Sequence, residues 1–278
     1  MSTQRVDYNF NASALGVGGY FIRDGKQTLV PSLASVALSP DGGEGSTYVT
    51  NYDRDGISFT RAESRVSGYE TSPGFFTTRS DIYLTNLSVF GQVNIGLLQA
   101  TVTSTRDLDD REAEEAKFML HASFYGIDVE GVGIVPKIDV DVCEASYKEI
   151  REKAKRQLDS APESEEKKHA MAAVDRGEPI RSTMLESMNL THPDHRPGFA
   201  KEGKHVLKVP GFAKIHFGEL LVKQGRRRVN LIRFDFNNVS DQETPRSAFV
   251  ANALVLPSSG SLTVASGDGN GEPVWPRG

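Results

Sequence analysis

Alternation of apolar and polar residues is the dominant pattern along the first hundred residues. In the segment GISFTRAESRV, Ile57 and Phe59 would face one way and the intervening polar residues the other, which is the period of a half-buried β-strand. Similar segments recur between Arg5 and Arg106, separated by SPDGGEG, RDG and SPG. Glycine in such breaks supplies positive φ angles, and Pro or Asp starts the turn. The pattern predicts short antiparallel strands joined by turns.

The pattern changes to a helical one at about residue 145. Lys, Glu and Ala replace the β-branched residues, and Ser146 precedes Glu149 by three positions, which is the spacing of a capping box. We expect one helix from about Tyr147 to Leu158 and a second from about Ser164 to Asp175. Tyr147, Ile150, Ala154 and Leu158 would give the first helix a thin apolar stripe that lies on the sheet.

A long hairpin is predicted after this insertion, in the segment AKIHFGELLVKQGRRRVNLIRFDF. Strict alternation would place Ile215, Phe217 and Leu221 on one side, and Lys214, His216 and Gly218 on the other. The chain would return after KQG through Val229, Ile232, Phe234 and Phe236. The segments SAFVANALVL and GSLTVASGDG predict two last strands.

These elements predict a mainly β fold, either an antiparallel β-sandwich or a curved β-sheet. We expect one β domain over residues 1–278 with a helical insertion at about 145–190 and a C-terminal tail at 265–278. The tail would become ordered only if Trp275 finds a pocket.

Charge and composition exclude several functional classes. The 278 residues carry a net charge of −5, whereas binding to nucleic acid phosphates needs a basic surface, so we expect no nucleic acid partner. The basic run Arg226–Arg228 would be a solvated hairpin end, although a contact with an anion or an acidic partner stays open. No apolar stretch is long enough for a spanning helix.

The N-terminus has no basic start followed by an apolar stretch, as a secretory signal would need. We therefore expect a cytoplasmic protein, with non-classical secretion or a surface location as the alternative. Cys143 is the only cysteine, so a disulfide within the chain and a CxxC site are excluded. It alternates like a strand residue, which favours a buried apolar role over that of a nucleophile.

The segment THPDHRPGFAKEGKH contains the candidate metal ligands His192, Asp194 and His195. Imidazole and carboxylate groups at this spacing could chelate a zinc-like ion if a third ligand joined them, and His205 would have to approach from elsewhere. The prolines in this segment favour an extended polar loop without the helical spacing of HExxH. A loop role is therefore the preferred interpretation, with a metal site or acid–base catalysis as the alternatives.

Other motifs predict neither a catalytic residue nor a cofactor. LGVGGY lacks the GxGxxG order of a dinucleotide loop, and DRDG and GDGNG lack the spaced acidic series of an EF-hand, so turn chemistry is the simpler explanation. His121 and His216 have the pattern of ordinary sheet histidines.

Several strand segments resemble bacterial proteins related to choice-of-anchor domain proteins, a group of unknown function. The resemblance rests on KHVLKVPGFAKIHFGELLV, RRRVNLIRFDF, RSAFVANALV and SLTVASGDGNG, together with NLSVFG and SFYGIDVEG. The matching positions of its strand pattern are Pro210, Gly211, Phe212, Ile215, Phe217 and Glu219. It implies a β-rich, non-enzymatic protein of surface or assembly type, with no catalytic residue to carry over.

The leading hypothesis is therefore a non-enzymatic structural or interaction protein that forms homo-oligomers through its β scaffold, insertion and tails. The second is a small-molecule or carbohydrate-binding β domain, with Tyr52, Tyr69, Phe75 and Phe76 lining a pocket between the sheets. The third is a metal-dependent hydrolase that uses His192, Asp194 or His195.

Overall fold

Two antiparallel β-sheets pack face to face in the computed structural model, which describes residues 7–108, 116–191, 199–236 and 256–274. The prediction of a mainly β fold with a small helical insertion is confirmed. In chain order the elements are β1 (Asp7–Arg23), β2 (Lys26–Ala37), β3 (Gly43–Arg54), β4 (Ile57–Ser72), β5 (Phe75–Val89), β6 (Val93–Asp107), β7 (Lys117–Val129), β8 (Val132–Ile138), α1 (Val140–Glu144), α2 (Tyr147–Ser160), α3 (Glu165–Asp175), β9 (Ile180–Thr183), β10 (Leu185–Thr191), β11 (Ala200–Glu202), β12 (Val206–Val209), β13 (Ala213–Lys223), β14 (Arg226–Asp235) and β15 (Ser259–Val274).

The two sheets contain different parts of the chain. Sheet A has the strand order β11-β12-β13-β14-β15-β1-β2, with β9 paired to the second half of β13. Sheet B has the order β10-β8-β7-β6-β5-β4-β3. Sheet A therefore joins the two ends of the described chain, whereas sheet B is mostly a meander of consecutive hairpins.

Both sheets carry a line at which the inward and outward alternation inverts. In β13, Ile215 and Phe217 are buried and so are Leu220 and Val222, with Gly218 between the two pairs at a φ of 60°. The same inversion occurs in other strands at the positive-φ residues Asn51, Asn86, Gly126 and Ala265. Strict alternation was therefore wrong for Leu221, which faces away from the core.

Phenylalanine side chains fill one end of the space between the sheets. Phe90 of the β5–β6 turn packs edge-on against Phe21 of β1 and Phe236, with ring centroids 5.1 and 5.8 Å apart. Such edge-to-face pairs add to the stabilisation by apolar burial. All three rings are fully or almost fully buried.

At the other end the sheets approach closely because β15 turns glycines inward. A Cβ atom on Gly267 would lie 2.5 Å from Ile82 Cδ1 of the opposite sheet. In the segment GDGNG the glycines face sheet B, while Asp268 and Asn270 face outwards. The interpretation of this segment as a turn was wrong, and so was that of a tail from residue 265, since residues 265–274 belong to β15 between β14 and β1.

The helical insertion begins earlier and ends earlier than expected. Helices α2 and α3 occupy the expected ranges, and the Ser146–Glu149 capping box is present. The preceding segment forms α1 rather than strand, and residues 180–191 form β9 and β10. Cys143 lies in α1 and is buried as expected, and burial raises the pKa of its thiol to about 12.

The long β13–β14 hairpin is confirmed, but its basic run is not a solvated end. Arg227 is buried, with its guanidinium 4.5 Å from the centre of the Phe118 ring. It donates hydrogen bonds to the carbonyls of Lys223 and Ala145, which ties the hairpin to the insertion. Arg226 Nη2 lies 2.6 Å from the buried carboxylate of Asp268. Trp275 and nearly all of the expected strand SAFVANALVL lie outside the described residues.

Candidate functional site

A cleft of about 720 Å³ opens on the outer face of sheet A. Residues of β13, β14 and β9, which are neighbouring strands of this sheet, line the cleft as its floor, and residues of α2 and the turn before β12 line it as well. Tyr147 and Ile150 of α2 are buried and belong to the main apolar core, while Lys153, Ala154 and Gln157 of the same helix line the cleft. The helical insertion therefore contributes one side of the concave site.

The inversion at Gly218 brings the polar residues of the floor together. Because the alternation skips one position, His216 and Glu219 lie three residues apart on the same outer face of β13. The alternation also inverts in the neighbouring strand β14, so that Asn230 and Arg233 share the outer face there. In a regular strand, one residue of each pair would point into the core.

Arg233 is the centre of a charged network on this floor. Its Nε and Nη2 donate to the two carboxylate oxygens of Glu219 at 2.8 and 2.7 Å, and its Nη1 contacts Asp235 Oδ2. Only 14% of the Glu219 side chain and 19% of the Arg233 side chain are exposed. Bidentate pairs of this kind fix both side chains in one geometry.

The ring of His216 lies between the two carboxylates of this network. Its Nε2 is 3.0 Å from Asp235 Oδ2 and its Nδ1 is 3.5 Å from Glu219 Oε1. The Nε2 contact does not have hydrogen-bonding geometry, so this buried atom has no hydrogen-bond partner among the described residues. The ring of His205 follows at a centroid distance of 6.4 Å.

Burial sets the protonation states of these groups. Burial, followed by the nearby Arg233, lowers the pKa of His216, and burial is also the main cause that lowers the pKa of His205. Burial opposes ionisation of Glu219, but the hydrogen bonds and the charge of Arg233 together outweigh it and lower the pKa of this carboxyl. At neutral pH the floor thus holds two neutral imidazoles and an ionised, already paired Glu219.

Cations predominate along the cleft. Five cationic and two anionic side chains line it: Lys153, Arg181, Lys204, Arg228 and Arg233 against Asp139 and Glu219. Lys153, Arg181 and Lys204 are exposed and have no carboxylate partner in the described ranges. A protein with a net charge of −5 therefore has a locally positive site, whose field attracts anions.

Apolar side chains form the rest of the wall. The lining includes Ile150 and Ala154 of α2, Ile180 of β9, Leu185 of β10 and Leu220 of β13. The site is thus part charged and part apolar, which is the usual composition of a small-molecule pocket.

The candidate metal ligands His192, Asp194 and His195 lie outside the described residues, so the metal-site hypothesis stays a prediction. Within the described ranges, no group of three or more His, Cys, Asp or Glu side chains has an arrangement that could hold a metal ion. His121 is an exposed histidine of β7. Among the described helices, none combines the length and apolarity that a membrane crossing needs.

The four aromatic residues expected to line a pocket between the sheets have separate places. Tyr52 stacks on Phe59 with centroids 5.2 Å apart, and Phe76 stacks on Tyr8 at 4.1 Å in a small cluster of its own. Tyr69 is exposed on the outer face of sheet B, away from sheet A. Phe75 is half-buried at the start of β5. The expectation of an inter-sheet pocket lined by them was wrong.

The sequence interpretation missed Arg233, Glu219, Arg181 and Lys204 as site residues. The available signal was Gly218, since an isolated glycine within a strand pattern often marks an irregularity. It did not reveal which neighbouring strands would cover the altered face.

Comparison with known proteins decides the family. A family model described as Domain of unknown function (DUF8256) matches residues 8–223. The chain belongs to this family. The matched span contains both cleft histidines and Glu219, whereas Arg233 and Asp235 lie beyond it. No curated protein and no solved structure matches the chain, and the resemblance to choice-of-anchor proteins stays a prediction.

Proposed function

We propose that the protein binds a small anionic molecule with an apolar body in the cleft on sheet A. The observation that carries the proposal is the excess of cations, three of them without a carboxylate partner among the described residues, around a cavity that also has an apolar lining. A carboxylate, phosphate or sulfate group would meet Arg181, Lys204 and Lys153, because charge-assisted contacts of such groups with Arg and Lys are strong.

The charged residues of the floor would orient the ligand, but they would not neutralise the charge of its anionic group. The hydrogen bonds of Arg233 to Glu219 and its contact with Asp235 engage its guanidinium, so the ligand's anion would bind at the rim. The neutral imidazoles of His205 and His216 can each offer one N–H donor to a ligand. Apolar contacts with Ile150, Ile180 and Leu220 would hold the body of the molecule.

We further propose that the two carboxylates of the floor, Glu219 and Asp235, do not act as general bases. A general base needs a carboxylate or imidazole that is free to accept a proton in reach of the substrate. Glu219 is an ionised but already paired carboxylate with a lowered pKa, and Asp235 shares the same arginine. Both groups are therefore better suited to positioning side chains than to proton transfer.

The test is calorimetric titration of the full chain with octanoate and, as the neutral probe of equal length, 1-octanol. We expect octanoate to bind at least about tenfold more tightly than octanol, corresponding to about 1.4 kcal/mol. The charge-reversed variant Arg181→Glu/Lys204→Glu should lose that advantage.

The matched control is Lys26→Glu/Arg54→Glu. It reverses two exposed cations at hairpin ends away from the cleft and therefore makes the same change in net charge. It should bind octanoate as the natural chain does. No binding of octanoate, equal binding of the two probes, or equal losses in both variants would overturn the proposal.

A further inference from the structure

The outer face of sheet B is a broad surface that no other described element covers. Strands β3 to β7 are in register there, so that their outward side chains form rows across the sheet. We call this surface the tyrosine face and define it by three rows: Ser46, Arg65, Asp81, Thr101 and His121; Tyr48, Glu63, Tyr83, Gln99 and Ser123; Thr50, Arg61, Thr85, Leu97 and Tyr125.

Large amphipathic side chains stand exposed on this face. Tyr48 is 66% exposed, Tyr125 is 73% exposed and Tyr83 is 38% exposed. Met119 adjoins them with 50% of its surface exposed. Tyr, Met and Arg are the residue types enriched in the cores of protein interfaces.

Paired charges of both signs lie among these tyrosines. Glu63 accepts hydrogen bonds from Arg61 and Arg65, and Arg79 of the adjacent row donates to both carboxylate oxygens of Asp81, at 2.7, 2.8 and 3.0 Å. The guanidinium of Arg61 also lies 5.6 Å from the centre of the Tyr48 ring. These contacts hold long side chains in place before any partner arrives, which reduces the entropic cost of association.

The balance of charge points to a second copy of this chain as the partner. Within the three rows Arg61 and Arg65 offset Glu63 and Asp81, whereas the whole chain carries −5. A twofold interface uses the same patch on both partners, so the patch must be complementary to itself and free of a large net charge. Nucleic acid would instead require a basic surface.

The size of the face also fits a homodimer. The three rows are the central part of the outer face of β3 to β7. That whole face, with five strands at about 4.8 Å spacing and about 12 residues at 3.3 Å along each strand, spans roughly 20 by 40 Å, or about 800 Å². A stable interface of standard size buries about 800 Å² on each partner.

From these observations we propose that two copies of the chain associate through their tyrosine faces. The association leaves the cleft on sheet A open on the far side of each sandwich. It is independent of the proposed ligand, and its test needs no ligand.

The test is sedimentation velocity of the full chain from about 1 to 100 µM, a range that reports a dimer of micromolar affinity. Three proteins are compared: the natural chain, Tyr48→Glu/Tyr125→Glu on the tyrosine face, and Tyr20→Glu/Leu29→Glu on the outer face of sheet A. Tyr20 and Leu29 are 44% and 72% exposed, so the control adds the same charge at similarly exposed apolar positions.

We expect a dimer for the natural chain and for the sheet A control, and a monomer for the tyrosine-face variant at every concentration. Circular dichroism and thermal unfolding should show that all three are folded. A natural chain that stays monomeric at about 100 µM, a dimer that survives in the tyrosine-face variant, or dissociation of both variants would overturn the proposal.

Discussion

The two outer faces of the sandwich arise from the same strand alternation but differ in what covers them. On sheet A, β9 pairs with β13 and α2 lines the cleft beside them, and Arg233, Glu219 and His216 are largely withdrawn from water. On sheet B the pairs Arg61–Glu63 and Arg79–Asp81 stay in contact with solvent. Burial makes each charged contact on sheet A costly to break, whereas exposure leaves sheet B available for association.

The largest expected effect is the difference in unfolding free energy between removing an arginine from the cleft and removing one from the outer face of sheet B. Arg233→Ala would leave the largely buried carboxylates of Glu219 and Asp235 without their cation, and we expect a loss of about 3 kcal/mol in the free energy of unfolding. Arg79→Ala removes a cation whose side chain is 50% exposed, and it should cost less than about 1 kcal/mol. Urea unfolding at pH 7 measures both, and similar losses would contradict the distinction between the faces.

The next effect concerns the arginine that ties the insertion to sheet A. Arg227→Met keeps an apolar stem over Phe118 but removes the donors to the carbonyls of Lys223 and Ala145. We expect a loss of about 1 to 2 kcal/mol, because two partly buried hydrogen bonds with a charged donor would be lost. Arg228→Met, at a more exposed neighbouring position, should stay within about 0.5 kcal/mol. Thermal unfolding of the two variants compares them.

The pH dependence of the unfolding free energy would test the burial of the two cleft histidines. Because the folded pKa values of His205 and His216 are lowered, the unfolded chain binds more protons below about pH 6.5, and stability falls as pH falls through that window. Lowering of the Glu219 pKa adds a second loss below about pH 4.5. At higher pH these histidines contribute no slope.

The variant His205→Gln/His216→Gln should therefore flatten the stability profile between about pH 6.5 and 5. His121→Gln on sheet B shows the effect of removing a histidine outside the cleft. Chemical unfolding across this range is the measurement, and an unchanged profile in the double variant would contradict the assignment.

The smallest expected effect lies on the tyrosine face. Thr101 Oγ1 donates to Asp81 Oδ1 at 2.7 Å, but solvent can replace this hydrogen bond at an open surface. Thr101→Val should change the unfolding free energy by less than about 0.5 kcal/mol. A loss above about 1 kcal/mol would show that the face is less accessible to water than its geometry indicates.

Local patterns were sufficient for several of the elements of this protein. Alternation around Ile57 and Phe59 identified a strand, and Ser146 with Glu149 located the start of α2. The β13–β14 hairpin followed from apolar runs on either side of KQG. Each signal lies within a short stretch of sequence, because strand period and helix capping depend on neighbouring residues.

Tertiary structure alone decided the faces and the site. The inversion at Gly218 turned Leu221 outwards and placed His216 beside Glu219, against the alternation read from the sequence. Pairing of β15 with β1 and β14 made the glycines of GDGNG an inward-facing row rather than a turn. Both outcomes depend on contacts between residues far apart in the chain, and such contacts leave no periodic signal in the sequence, whereas local conformation does.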